Sequence, residues 1–110
     1  MARFVKGEVV VIPFPFSDLS NKTGRPAFII SCLSGNDLIL CQITSQLNYD
    51  QYSIPLIEDD FESGQLNQES KIRPNRLFTA DSNIIIRSVG KLKNNKIDEV
   101  IDKIINIVKS

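Results

Sequence analysis

Apolar residues occur along most of this chain in short bursts rather than long periodic tracts. Glu8 to Phe14, Pro26 to Cys32, Leu38 to Ile43, Tyr52 to Leu56, Lys71 to Thr79 and Ile84 to Val89 are runs rich in β-branched and aromatic residues. Clusters of Gly, Pro, Asn, Asp and Ser separate them, which is the punctuation of short strands. Several strands at this spacing predict a small barrel. At Ile97 the period changes: Ile97, Val100, Ile101, Ile104, Ile105 and Val108 recur at helical intervals and lay one apolar stripe along a helix. Asn95 is placed to cap it, with Asp98 and Glu99 in its first turn facing the positive end of the dipole. The expectation is a mainly β fold with a C-terminal α-helix that closes the core. No internal repeat or second domain interrupts the 110 residues, a length that suits one core.

The second and third predicted strands carry the most specific expectation. A symmetric turn at Ser34 to Asp37 sets Arg25 against Gln46 and Ala27 against Thr44, with Thr44 diagonal to Arg25 on the same face. Phe28, Ile30, Cys32, Ile39, Cys41 and Ile43 gather on the opposite, core-facing side, and Ser45 falls with them. Arg25, Thr44 and Gln46 then share the outer face with Ile29, Leu38 and Leu40. That apolar trio is a poor surface to leave in water, and a homodimer interface beside a polar site would cover it. The same register puts Cys32 diagonal to Cys41 at about 7 to 8 Å, too far for a disulfide, so both read as small core hydrophobes.

Charge sharpens this picture, and composition narrows the chemistry. Thirteen basic and thirteen acidic residues cancel, which removes any whole-chain attraction to polyanions. Their distribution is uneven. Residues 50 to 69 carry six acids and no base, whereas residues 70 to 96 carry seven bases against Asp81, so a local basic surface is available. With no His there is no Ser-His-Asp triad, His-based metal cage or imidazole acid-base pair. Catalysis must run on Arg, Lys, carboxylates or hydroxyls. The cluster Glu58-Asp59-Asp60 has the spacing of no recognisable cation site and reads as a solvated loop. No apolar run approaches the ~18 residues of a membrane span, and two cysteines suit a reducing compartment. A cytoplasmic protein is expected.

Gly7-Glu8-Val9-Val10-Val11 leads to Arg25-Pro26-Ala27-Phe28-Ile29-Ile30-Ser31. Ile43-Thr44-Ser45-Gln46, Arg76-Leu77-Phe78-Thr79-Ala80-Asp81 and Val89-Gly90-Lys91-Leu92 follow before the helix. In this order and spacing, over nearly the whole chain, the motifs resemble the MazF/PemK family of toxin endoribonucleases. The resemblance implies an SH3-like barrel of the MazF/PemK/CcdB type and a homodimer. It implies the toxin half of a type II toxin-antitoxin module, cleaving single-stranded mRNA without a metal or other cofactor. It also implies a cognate antitoxin that lays a flexible segment over the RNA-binding face.

In that family the Arg of the Arg-Pro motif and the Thr of the third-strand motif form the catalytic pair, which carries over to Arg25 and Thr44. The 2′-hydroxyl attacks the adjacent phosphorus, and a fixed guanidinium with a hydroxyl donor stabilises the charge that grows on the phosphoryl oxygens. The proton acceptor is left open among a perturbed Arg25, a carboxylate and water. Gln46, Arg73 and Arg76 are the candidates for holding phosphates or bases. Two departures from the family pattern bear on specificity. Phe78 replaces a family arginine, and the loop from Phe14 to Gly24 differs from the common version. Phe14 and Phe16 either stack on bases or pack a rigid turn. The alternatives to a nuclease are a topoisomerase poison, as the CcdB relatives of this fold are, and an inactive barrel kept as a binding module. The Arg-Pro and Ile-Thr-Ser motifs favour the nuclease.

Overall fold

Side chains in the middle of the chain alternate between two buried clusters, one on each face of a single sheet. The structure, a computed structural model, describes residues 4–13, 24–46 and 50–110. Its strands are β1 (Glu8–Ile12), β2 (Arg25–Cys32), β3 (Asp37–Thr44), β4 (Ile54–Leu56), β5 (Phe61–Gly64), β6 (Ser70–Asp81) and β7 (Arg87–Leu92), followed by helix α1 (Asn94–Lys109). All pair antiparallel in the order β4-β6-β3-β2-β1-β7-β5. The first cluster contains Phe28, Cys41, Ile43 and Ile72 from the central strands, Ile54 and Leu56 from one edge, Phe61 from the other, and Ile97 and Val100 from α1. Both edges thus reach the same helix, and the sheet curls into a half-barrel, in line with the small barrel that the strand pattern predicts.

The second cluster corrects an expectation. Ile29, Leu38 and Leu40 are buried with Val10, Ile12 and Ala27, and Phe4, Phe78, Ala80 and Ile85 pack against them. The chain covers its own apolar row, so that row is not a subunit surface.

The β2–β3 hairpin departs from the symmetric turn in two compensating steps. Leu33 N–H donates to the Asp37 carbonyl across the turn at 2.9 Å, and beside it Cys32 faces Leu38 and Ser31 faces Ile39, one residue from the expected register. Ile30 is then the extra residue of a bulge, after which Ile29 faces Leu40 and Ala27 faces Gln42. The second step restores the parity the first removed. Cys32 lies beyond the bulge and is exposed, contrary to the core position predicted for it, while Cys41 is buried as expected.

Three further boundaries differ. β5 was not anticipated, because Phe61 is its only buried residue. Ile84 ends a short 3-10 turn, Ser82–Ile84, opened by Asp81 accepting from the Asn83 N–H at 2.8 Å, so β7 starts at Arg87. Helix α1 starts at Asn94 with Lys93 as N-cap and no side-chain cap, which places Asn95 inside the helix and leaves no acid in its first turn. Lys96 anchors the helix start instead. Its buried Nζ meets Glu99 Oε1 at 2.9 Å, the Pro55 carbonyl at 3.2 Å and Asp60 Oδ2 at 3.5 Å, tying α1 to β4 and to the 3-10 turn Glu58–Asp60. Asp60 also accepts from the Ile57 N–H, so this acid is a structural clasp. Among the described residues, no helix is long and apolar enough to cross a membrane.

Candidate functional site

Arg25 opens β2 opposite Ile12 of β1. Glycine must precede it, since a Cβ on Gly24 would meet the Val11 Cγ1, the Ile12 carbonyl oxygen and the Ile86 Cδ1. Arg25 is half-buried, and its Nε is buried with no hydrogen-bond partner among the described residues. An unpaired buried donor costs on the order of 1–3 kcal/mol, so it is a natural partner for an acceptor brought by a ligand.

Thr44 ends β3, half-buried, opposite Lys71 of β6. Its Oγ1 accepts the Gln46 N–H at 3.1 Å, which leaves the hydroxyl proton to be donated elsewhere. Continued two residues past the Ala27–Gln42 pair, the β2–β3 register sets Arg25 against Thr44. The predicted opposition of Arg25 to Gln46 and Ala27 to Thr44 is therefore replaced by a closer pairing of the two candidate catalytic residues. Both remain on one face because the two one-residue slips add to two, which preserves the alternation of side chains.

Arg25 and Thr44 line a cleft of about 840 Å³ at this end of the sheet. Ser45 lines it too and is exposed, not core-facing as expected, because β3 ends at Thr44 and strand alternation ends with it. The far wall comes from the connection between β5 and β6, with Gln65, Leu66, Asn67 and Gln68, and from Arg87 at the start of β7. Among the described residues the lining holds two guanidiniums and no carboxylate. Those two charges attract an anionic ligand.

The predicted phosphate- and base-binding residues lie around the cleft rather than on it. Gln46 is exposed just past Thr44, orienting that hydroxyl through its backbone. Arg73 faces Gln42, and its Nε is paired with Asp50 Oδ2 at 3.3 Å. The Tyr52 N–H, first, and the Arg73 guanidinium hold the Asp50 carboxyl below its ordinary range. Arg76 is exposed within a bulge of β6, where the ladder steps from Cys41–Leu77 to Gln42–Arg73 around buried Pro74. A proline there has no N–H for the ladder to lose. The carbonyl that the bulge frees on Arg73 accepts from Cys41 Sγ at 3.0 Å. Phe78 packs on the second cluster. Phe14 and Phe16 lie outside the described residues. No group of His, Cys, Asp and Glu suited to a metal ion occurs among the described residues.

Sequence reasoning missed Arg87 and the amides of residues 65, 67 and 68. Arg87 had been counted only within the basic stretch. The run Gln65-Leu66-Asn67-Gln68, uncharged inside an acidic stretch and following Gly64, was the one local signal available.

The profile of the PemK-like, MazF-like toxins of type II toxin-antitoxin systems matches residues 5–108. No curated protein sequence matches the chain significantly. Among solved structures, a mycobacterial endoribonuclease in complex with its cognate antitoxin superposes with a TM-score of 0.76 at 9% identity, covering 97% of this chain and 96% of that one. The Mycobacterium tuberculosis toxin MazF-mt6 gives 0.70 at 16% identity over 93% and 96% of the two chains. The MazE-MazF structure from Deinococcus radiodurans gives 0.72 at 15% identity over 94% and 92%. At these identities the superpositions show a shared fold.

Proposed function

Because the chain belongs to the PemK-like, MazF-like toxins of type II toxin-antitoxin systems, we propose that it is an endoribonuclease cutting single-stranded RNA in the cleft between Arg25 and Thr44. The observation that carries this reading is the Arg25 Nε, buried with no hydrogen-bond partner among the described residues, on a cleft that Thr44 also lines and whose described lining holds no carboxylate. In the reaction the RNA 2′-oxygen forms a bond to phosphorus and loses its proton to water. The bond from phosphorus to the 5′-oxygen breaks and that oxygen takes up a proton from water, leaving a 2′,3′-cyclic phosphate and a 5′-hydroxyl. Arg25 and Thr44 donate to the phosphoryl oxygens as their charge rises, a kind of contact that typically contributes about 2.7–4 kcal/mol to lowering the barrier. The reaction so proposed uses no metal ion. Single-stranded RNA suits the cleft because unstacked bases present open edges to the amides of its far wall. Family membership supports a cognate antitoxin and a homodimer as the partners, and a cytoplasmic site of action.

The test is purified protein on mixed-sequence RNA in EDTA, with end analysis of the products. Cleavage with cyclic-phosphate ends, abolished in Arg25→Ala, is expected. RNA left intact across many sequences, or cleavage unchanged in Arg25→Ala, overturns the proposal.

A further inference from the structure

We propose that Arg87 is a second phosphate-binding residue of this cleft, gripping the phosphate next to the scissile one; the assignment rests on the endoribonuclease reading above. Arg87 is exposed at the start of β7 and lines the same cleft as Arg25. These two are the only cations among the described lining residues. Arg73 is committed to Asp50, but no carboxylate among the described residues pairs with Arg87.

Its position in the sheet separates its task from that of Arg25. Arg87 faces Val11 across the β1–β7 ladder, and Arg25 faces Ile12 across the β1–β2 ladder. The two arginines therefore stand two strand spacings apart, roughly 9–10 Å between backbones. Val11 and Ile12 are consecutive, so their partners point to opposite faces of the sheet. A ligand touching both guanidiniums must pass over the end of β1 from one face to the other. One phosphate held against Thr44 by Arg25 cannot do this, whereas a chain bearing successive phosphates can. Both cations being guanidiniums, each can take two phosphate oxygens in a forked contact.

The experiment separates binding from chemistry. Affinity of a short single-stranded RNA is read by fluorescence anisotropy over a salt series for Arg25→Ala and for Arg25→Ala with Arg87→Ala, neither expected to turn the RNA over. Single-turnover cleavage is read for the wild type, Arg87→Ala and Arg87→Lys. Loss of Arg87 should weaken RNA binding about tenfold and flatten the slope of log K against log salt by about 0.7. It should raise the half-saturating enzyme concentration while leaving the saturating rate within about threefold, with Arg87→Lys recovering part of the affinity. An RNA with one neutral methylphosphonate flanking the scissile bond should lose its sensitivity to Arg87→Ala, as groups in direct contact do in a double-change cycle.

Unchanged affinity and salt slope, or a fallen saturating rate at unchanged half-saturation, overturns the role given to Arg87. Should the wild type leave all RNA uncut, the endoribonuclease reading falls, and the anisotropy arm still decides whether Arg87 binds the strand. Thermal unfolding of each variant checks folding, and Arg87→Lys keeps the test open if Arg87→Ala does not fold.

Discussion

The backbone N–H of Gln46 reaches back to the side-chain oxygen of Thr44 at 3.1 Å. This contact uses one lone pair of the hydroxyl and leaves its proton to be donated, under the proposed function to a phosphoryl oxygen. Thr44→Val keeps the shape and removes the donor. Its single-turnover rate on RNA should fall roughly 10²–10³-fold, whereas Thr44→Ser should stay within about tenfold. A valine variant as fast as the wild type would remove Thr44 from the chemistry.

Gly64 and Gly35 have nearly the same left-handed backbone, with φ of 74° and 75°, but very different surroundings. A Cβ on Gly35 meets nothing within 4 Å, while on Gly64 it would run into the Val89 carbonyl and the Gly90 Cα. Gly35→Ala should cost only the conformational term, about 1–2 kcal/mol. Gly64→Ala must cost more, since β5 has to move off β7 to admit the methyl. Urea unfolding of both variants compares them, and equal losses would mean that the β5–β7 contact is loose.

The two thiols should behave differently although only nine residues separate them. Burial pushes the Cys41 thiol up to about 12, only partly opposed by the backbone of Arg73. Cys32 is exposed at the hairpin tip. Iodoacetamide at pH 8 should therefore label one thiol per folded chain, at Cys32, and two after unfolding. Mass mapping identifies the site, and native labelling at Cys41 would contradict its burial.

Glu8 offers a pH test of the barrel itself. Burial raises its carboxyl above the ordinary 4.5, against the lowering effects of the Val5 backbone and of Lys91 across the ladder, and its Oε2 has no partner among the described residues. The folded state thus holds this proton more tightly than the unfolded chain. The contribution of Glu8 to stability is greatest below the ordinary value and is lost as pH rises through the raised one. Glu8→Gln should be more stable than the wild type at neutral pH, with the difference closing on acidification toward pH 4. Unfolding midpoints across that range decide it.

Strands whose residues alternate, or whose runs are strongly β-branched, could be read from the sequence, and so could the apolar stripe of α1. β5 was hidden because one inward phenylalanine among exposed Glu62, Ser63 and Gly64 makes no period. The helix start was misread because anchoring by Lys96 depends on Pro55 and Asp60, which are distant in sequence. Arg25 and Thr44 were legible as a pair on one face, although their register was not. Arg87 and the amides at 65, 67 and 68 join them only because the sheet curls, and no local pattern encodes that closure.

The extra residue at Ile30 uncouples the tip of the hairpin from its base. A change of turn chemistry around Gly35 therefore acts on the tip side of the kink, one register step away from the base where Arg25 and Thr44 stand.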